Sequence, residues 1–389
     1  MGLGPGFPGG VMDFKQLLML LVERKGSDLF ITANWPPSIK IDGVIRPVGK
    51  TSLTPADARE LVLGVMNEKQ RAEFEETNEC QFAIAPKGVG RFRVSAFVQR
   101  DCPGMVLRRI ESRIPTLEEL RLPTVLRDLG MVKQGMVIFA GGTGTGKSTS
   151  LAALVGYRNR HSSGHIISIE DPIEYVHEHD GCIITQREVG VDTESFEVAL
   201  KNSLRQAPDV ILIGEVRTRQ TMEYAIAFSQ TGHLVLATLH ANNSNQALDR
   251  MINFCPEDTR GQLLLDLSLN LRGIVAQQLI ARKSGKGRQV VLEVLLNTPL
   301  IADNIRKGEI HKIKELMKRG GEQGMITFDQ ALYNLYQEGE IALEDALRHA
   351  DSANEVRLMI KLQSGGPGAA PVGLTQEVDM ISLEDPNER

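Results

Sequence analysis

The chain has 389 residues, 42% hydrophobic and 24% charged, which is an ordinary globular composition and suggests about two folded units. No run of about 18 apolar residues is present, so nothing in it is expected to span a membrane. The net charge of −5 gives no overall footprint for nucleic acid, and four cysteines without a C-x-x-C pair indicate a reducing cytoplasm rather than a zinc ribbon or a disulfide framework.

The first part of the chain predicts a flexible leader and then a small α/β domain. Residues 1–11 are rich in glycine and proline and precede any helical pattern. Residues 12–112 mix helical periodicity with short alternating runs, which is typical of a small sensor-like domain. The predicted helices cover 12–25, 54–66 and 68–76, and the predicted strands cover 28–32, 38–45, 81–84, 90–97 and 105–110.

The second part predicts a linker at 113–122 and a larger domain over 123–362. Helices there alternate with apolar strands, which indicates a mainly parallel sheet covered by helices on both faces. The predicted strands cover 136–140, 166–169, 210–213 and 234–238. Beyond Thr259 the pattern predicts an almost entirely helical region. The Gly/Pro-rich, acidic residues 363–389 predict a disordered tail.

A phosphate-binding loop follows the strand predicted at 136–140. The pattern G-x-x-x-x-G-K-[ST] is complete and leads into a helical stretch, which is the context that the motif requires. Its glycines bring backbone N–H groups close to phosphates, Lys147 adds a charge, and Ser148 offers a hydroxyl to Mg²⁺. The residues predicted to bind ATP are Gly141, Gly142, Thr143, Gly144, Thr145, Gly146, Lys147, Ser148 and Thr149.

Two carboxylates follow later strands of the same predicted sheet. Glu170 comes directly after the strand at 166–169 and is predicted to activate the attacking water, although an acidic surface turn is an equally good reading of this segment alone. Glu215 ends a Walker B-like strand and is predicted to hold the Mg²⁺ water shell. Ligands in such sheets lie at the carboxyl ends of the strands, so both acids are expected near the loop.

Two histidines, His233 and His240, bracket the strand predicted at 234–238. A single histidine at a strand end is usually a structural donor. Two of them, expected at the same sheet edge as the loop, predict a sensor of the γ-phosphate. Metal binding is less favoured, because no further histidine or cysteine lies nearby.

Three arginines on predicted strands of the first domain are Arg91, Arg93 and Arg108. Alternation places Arg91 and Arg93 on one face, where a solvated surface is the ordinary interpretation. Beside an ATPase domain they become candidates for arginine fingers that act on a neighbouring subunit.

The four motifs in order resemble the secretion ATPase superfamily, and the resemblance covers about residues 12–362. Gly141–Ser148, Ile169–Glu174, Ile213–Arg217 and Gly232–His240 are similar to its Walker A, Asp-box, Walker B and His-box motifs. The chain is most similar to the type IV pilus retraction ATPases of the PilT/PilU branch, and within it to PilU-type members. It lacks the four-cysteine insertion that extension and type II secretion ATPases usually carry.

This resemblance implies a PAS-like N-terminal domain, a RecA-like P-loop ATPase domain with a helical C-terminal part, and a homo-hexamer. It also implies ATP and Mg²⁺ as ligands, a PilT-like ATPase and an inner-membrane pilus platform protein as partners, and a cytoplasmic location at the base of the pilus machine. In residues 300–307 only Ile301, Ile305 and Arg306 match a motif of PilT proteins, which favours an accessory retraction motor.

Three other functions stay open at this point. The chain could drive pilus extension or type II secretion, although it lacks the cysteine insertion. It could be a RecA-like motor on nucleic acid, although no basic stripe or aromatic platform supports one. It could be a regulatory subunit with slow hydrolysis, although Glu170 and Glu215 are both present.

Overall fold

The structure is a computed structural model that describes residues 13–41, 43–110 and 113–364. The predicted leader at 1–11 and almost all of the predicted tail at 363–389 lie outside the described residues. The last helix reaches Ser364, two residues beyond its predicted end. The described residues form two β-sheets, and the predicted domain boundaries at 112 and 122 stay predictions.

The N-terminal sheet has six antiparallel strands in the order β3-β2-β1-β6-β5-β4. The strands are β1 (Asp28–Ile31), β2 (Ser38–Ile41), β3 (Val44–Pro47), β4 (Glu79–Ile84), β5 (Arg91–Gln99) and β6 (Cys102–Ile110). The helices are α1 (Phe14–Glu23), α2 (Pro55–Gly64) and α3 (Glu68–Thr77). Apolar residues of all three helices pack with Phe92, Val94 and other sheet residues into one core, which leaves the opposite face of β5 to Arg91 and Arg93.

Two sequence predictions in this domain have different outcomes. The start of α2 is confirmed, because Thr54 and Asp57 each accept a backbone N–H from the other and so form a capping box. The single strand predicted over 38–45 is wrong. A turn at Gly43, with φ of +81°, reverses the chain and divides this segment between β2 and β3.

The second sheet has seven strands in the order β13-β12-β7-β11-β10-β8-β9. The strands are β7 (Gly135–Ala140), β8 (Gly164–Glu170), β9 (Cys182–Glu188), β10 (Val210–Ile213), β11 (Leu234–Leu239), β12 (Leu271–Ala281) and β13 (Arg288–Leu296). All neighbours are parallel except β12 and β13. The four predicted strands are therefore present, in the mainly parallel sheet that alternation predicts.

The prediction of an almost entirely helical region beyond Thr259 is wrong for β12 and β13. Strand β12 pairs in parallel with β7, directly beside the predicted phosphate-binding loop. Both strands are buried on both faces, so they lack the polar alternation that marks a half-exposed strand. A short apolar run of this kind cannot be told from a buried helix by its periodicity.

Helices cover both faces of the second sheet. They are α4 (Val125–Met131), α5 (Lys147–His161), α6 (Phe196–Ser203), α7 (Arg219–Gln230), α8 (Ser244–Asn253), α9 (Arg260–Asn270), α10 (Pro299–Arg306), α11 (Ile313–Arg319), α12 (Phe328–Gln337), α13 (Leu343–His349) and α14 (Ala353–Ser364). Two apolar cores result, one with Ile138 and Ile211 on one face and one with Phe139 and Leu212 on the other. In the described part of the chain, no helix combines the length and the apolar character that crossing a membrane requires.

Candidate active site

The predicted phosphate-binding loop connects β7 to α5 at the carboxyl edge of the second sheet. Gly146 comes directly before α5 and has φ of +85°, a conformation that residues with a side chain rarely adopt. A Cβ at Gly141 would lie 2.6 Å from Thr145 Oγ1 and 2.7 Å from the carbonyl oxygen of Gln277. The fold therefore requires glycine at both positions, which explains the spacing of the motif.

Lys147 is buried and folds back onto this loop. Its Nζ donates to the carbonyl oxygens of Gly141 at 2.7 Å and of Gly142 at 2.8 Å. Burial lowers the pKa of Lys147, while the negative charges of Glu215 and Glu174 act in the opposite direction. A buried ammonium held by neutral carbonyl groups gains from a nearby anion, so the loop favours a phosphate.

Several predicted residues line a single cavity of about 300 Å³ beside the loop. Glu170 is the last residue of β8, Glu215 follows β10, and His240 follows β11. These three residues lie on the cavity wall with Lys147, because the carboxyl ends of parallel strands meet at one edge. The loop also contributes Thr143, Gly144 and Ser148 to the wall.

Glu215 is held from two sides within this cavity. Its Oε1 lies 3.0 Å from His240 Nε2, and its Oε2 accepts a hydrogen bond from Arg217 Nε at 2.7 Å. Arg217 also places Nη1 3.7 Å from Asp171 Oδ2. Glu215 therefore orders one histidine and one arginine at the place where the predicted γ-phosphate would lie.

Glu170 is partly exposed to the cavity and is otherwise surrounded by protein. Its Oε1 accepts a hydrogen bond from Gln186 Nε2 at 3.3 Å. Desolvation raises the pKa of Glu170 to about 7, and the charges of Glu174 and Glu188 act in the same direction. A carboxylate whose pKa lies close to the working pH can both accept a proton from water and release it.

The expectation that both histidines lie at the loop edge is wrong for His233. His233 precedes β11, whereas His240 follows it, so the two lie at opposite ends of one strand. The ring of His233 packs edge-on against Phe228, and its Nδ1 lies 3.1 Å from Thr231 Oγ1. His233 therefore belongs to the turn that joins α7 to β11, and only His240 faces the cavity.

Two other residues predicted to bind ATP form hydrogen bonds within the protein through their hydroxyl groups. Thr145 Oγ1 donates to the carbonyl oxygen of Gly142 at 2.9 Å, which tightens the loop. Thr149 lies in the first turn of α5, and its Oγ1 is 2.8 Å from the hydroxyl oxygen of Tyr175. Their side chains shape the loop and its helix, and their roles toward a nucleotide stay predictions.

Comparison with known proteins identifies the family. The family model described as Type II/IV secretion system protein matches residues 12–348. The chain belongs to this family. The type IV pilus ATPase PilU of Pseudomonas aeruginosa is 66% identical over 97% of this chain and 99% of its own length. The retraction ATPase PilT of the same organism is 39% identical over 87% of this chain and 98% of its own length.

Two solved structures share the fold of this chain. The pilus retraction motor PilT with bound ADP matches with a TM-score of 0.85 at 38% identity, covering 90% of this chain and 100% of that chain. DotB of Legionella pneumophila matches with a TM-score of 0.75 at 20% identity, covering 89% and 94%, which shows the fold alone. The predicted α/β fold class with its RecA-like domain and the PilT/PilU-type family are confirmed. So is the enzyme class: the chain is a P-loop ATPase.

The donor set of this ATPase cavity suits Mg²⁺, which prefers oxygen ligands and keeps several waters. Ser148 offers a hydroxyl, and Glu215 and Glu170 offer carboxylate oxygens. The described residues contain no group of three or more histidine, cysteine, aspartate or glutamate side chains arranged to hold a metal ion. Ser148 and the two carboxylates are the residues that would hold such an ion, and its charge would offset that of the phosphates.

Two of the three candidate arginines on the N-terminal sheet pair with acids of the same chain. Arg91 Nη2 is 3.3 Å from Glu188 Oε2 on β9, so this ion pair joins the N-terminal sheet to the second sheet. Arg108 Nε donates to Asp28 Oδ1 at 2.8 Å on the neighbouring strand. Arg93 lines a separate cavity beside Glu188. Action of these arginines on a neighbouring subunit stays a prediction.

Sequence reasoning missed several residues that support the site. Gln277 on β12 is buried, and its Nε2 donates to the carbonyl oxygen of Thr145 at 2.7 Å. Gln186 on β9 orients Glu170, and Arg217 orients Glu215. Each glutamine is a polar residue inside a strand, and this is the sequence feature that could have indicated its role in the site. Arg217 stands two positions after Glu215, within a motif that the sequence had already marked.

Proposed function

We propose that this chain is the subunit of a homo-hexameric, ATP-hydrolysing motor that helps to retract a type IV pilus beside a PilT-like ATPase. The observation that carries the proposal is the single cavity in which Lys147, Glu170, Glu215 and His240 meet. Similarity to PilU and PilT over most of their lengths supports the link to the pilus.

The arrangement of the cavity suggests how hydrolysis proceeds. The loop and Lys147 hold the β- and γ-phosphates, and Ser148 and Glu215 are the residues that would hold a Mg²⁺ ion. Glu170 takes a proton from the attacking water as the water oxygen bonds to the γ-phosphorus and the bond to the ADP oxygen breaks. His240, fixed by Glu215, faces the γ-phosphate as a sensor.

The proposed ring rests on the polar face of β5 and on kinship with PilT. Arg91 and Arg93 share the face of the N-terminal sheet that is turned away from its core. Arg91 pairs with Glu188 of its own chain, so it would have to leave that carboxylate to meet a neighbouring subunit's nucleotide. Six copies would then form composite sites. Light scattering of the purified chain with and without nucleotide tests this, and a monomer that hydrolyses ATP at the full rate would contradict it.

The accessory role rests on α10, which contains most of residues 300–307. The positions that match the PilT motif include Ile301 and Ile305, which are both on the buried face of this helix. Leu300, which differs, is 57% exposed, and Lys307 is exposed as well. The chain thus keeps two buried apolar positions of this helix, has Asn304 at its third buried position, and differs at the exposed Leu300 and Lys307. These differences support altered coupling to an inner-membrane platform protein while the chemistry is preserved.

The deciding experiment measures pilus retraction in cells that carry this protein with or without a PilT-like ATPase. We expect no retraction with this protein alone and stronger retraction when both are present. The matched control is Lys147→Ala, which should remove the gain without changing protein level. Normal retraction by this protein alone would refute the accessory role and leave an independent retraction motor.

A further inference from the structure

Arg217 is a cationic side chain in the nucleotide cavity to which the motifs give no role. Among the described residues that line this cavity, the lysine and arginine side chains are those of Lys147 and Arg217. Lys147 is buried and points at loop carbonyls, whereas the side chain of Arg217 is 57% exposed. Arg217 is therefore the cation that can move when a ligand enters.

The charges around Arg217 are mainly negative. Asp171, Glu174 and Glu215 line the same wall, so a nucleotide triphosphate adds negative charge to a cavity that already holds several acids. Phosphoryl transfer requires positive charge near the γ-phosphate, where negative charge is spread in the transition state. Arg217 is in place to provide positive charge there in addition to Lys147 and a bound metal ion.

The guanidinium of Arg217 is held firmly at Nε and only weakly at Nη1. Nε donates to Glu215 at 2.7 Å, and only 14% of the Glu215 side chain is exposed. Nη1 lies 3.7 Å from Asp171, whose side chain is 44% exposed. Exposed ion pairs at such distances contribute little to stability, so the Asp171 contact is easily exchanged.

We infer that Arg217 is a further catalytic residue: its Nε keeps Glu215 in place while its Nη groups leave Asp171 and bind the γ-phosphate of ATP in the same subunit. The planar guanidinium can serve two anions at once, which a lysine cannot do in this geometry. The inference rests on the proposed hydrolysis of ATP in this cavity.

The test compares Arg217→Ala and Arg217→Lys with Arg219→Ala in the full-length chain. Arg219 is a matched control, because it forms a similar exposed pair with Glu223 at 2.7 Å on α7 without lining the cavity. We expect Arg217→Ala to lower kcat by roughly 10³- to 10⁵-fold, the range found for arginine fingers, and to change KM by less than about threefold. Arg217→Lys should recover part of the loss, and Arg219→Ala should stay within twofold.

A second readout separates a catalytic role from a structural one. ADP with aluminium fluoride mimics the transferred phosphoryl group, so Arg217→Ala should weaken its binding far more than the binding of ADP. Equal weakening of both, or an unchanged kcat, would overturn the inference. Unfolding temperatures of all variants show whether any loss comes from misfolding, and Arg217→Lys keeps the charge if the alanine variant is unstable.

Mixing variants tests the assignment to the same subunit. A mixture of Arg217→Ala subunits with Lys147→Ala subunits should not regain hydrolysis, because each subunit would still lack one part of its own cavity. Restored hydrolysis would place Arg217 across a subunit boundary and overturn the assignment. ATP hydrolysis by the unchanged protein and by Lys147→Ala is measured first. If the unchanged protein does not hydrolyse ATP, or if Lys147→Ala does so equally well, the proposed function fails independently of the Arg217 variants.

Discussion

His240 and Glu215 are in contact at the carboxyl edge of the ATPase sheet, with His240 Nε2 3.0 Å from Glu215 Oε1. The contact follows from the topology, because β10 and β11 are parallel neighbours and each residue comes just after its strand. The backbone N–H of Val216 also donates to the carbonyl oxygen of Thr238 at 2.9 Å, which joins the two segments. A ligand that moves Glu215 therefore also moves His240.

Lys147 and Glu170 should have separable effects on ATP hydrolysis. Lys147→Ala removes a cation from the loop and should weaken ATP binding. Glu170→Gln keeps the size and the Gln186 neighbour but cannot take a proton, so binding should persist while kcat falls roughly 10²- to 10⁴-fold. Nucleotide titration and single-turnover hydrolysis distinguish the two. Full turnover by Glu170→Gln would transfer the role of base to Glu215.

Turnover should depend on pH through Glu170. Its pKa is raised to about 7 by desolvation, and only the ionised form can accept a proton. The value of kcat at saturating ATP should therefore rise with pH up to about 7 and level off above it, and the residual activity of Glu170→Gln should lack this step. A flat profile for the unchanged protein between about pH 5.5 and 8 would contradict the assignment.

The same shift predicts a change in stability with pH. A carboxyl group whose folded pKa lies above its ordinary value of 4.5 favours the folded state when protonated, and this contribution is lost as pH rises through about 7. Glu170→Gln should therefore gain in unfolding free energy relative to the unchanged protein at pH 8, and less at pH 5. Denaturant unfolding at both values measures this. A larger gain at pH 5 would show the opposite sign.

Replacing His240 should impair catalysis, whereas replacing His233 should impair stability. His240→Ala removes a group on the cavity wall and should lower kcat at least tenfold with little effect on the unfolding temperature. His233→Ala removes the packing on Phe228 at the opposite end of β11, so it should lower the unfolding temperature and leave kcat within about twofold. Steady-state kinetics and thermal unfolding of both variants provide the comparison. Equal losses of kcat would mean that His233 also reaches the nucleotide.

Gln277 should matter for nucleotide affinity. Its hydrogen bond to the carbonyl oxygen of Thr145 holds the loop, and a bond of this kind contributes about 0.5–1.5 kcal/mol. Gln277→Ala should therefore weaken ATP and ADP binding by about 2- to 13-fold, with a smaller effect on kcat. Gln278→Ala is the control, because Gln278 contacts His349 on α13 instead. Similar losses for both variants would point to general damage to β12.

Much of the site follows from the sequence alone. The glycines at 141 and 146 and Lys147 form a contiguous motif whose backbone geometry is locally determined. Glu170, Glu215 and His240 each follow an apolar strand, and parallel strands bring their carboxyl ends together whatever the order of the sheet. The opposite position of His233 could also have been predicted, because it precedes the strand that His240 follows.

The tertiary structure decided what depends on contacts between distant segments. Strand β12 lies beside β7 and brings Gln277 to the loop, yet its apolar run carries no period that distinguishes a buried strand from a buried helix. Arg91 meets Glu188 because β5 of the first sheet lies beside β9 of the second, and no local pattern predicts that contact. The reactive groups at the strand ends thus follow from local sequence, whereas the side chains that hold them in place are set by long-range packing.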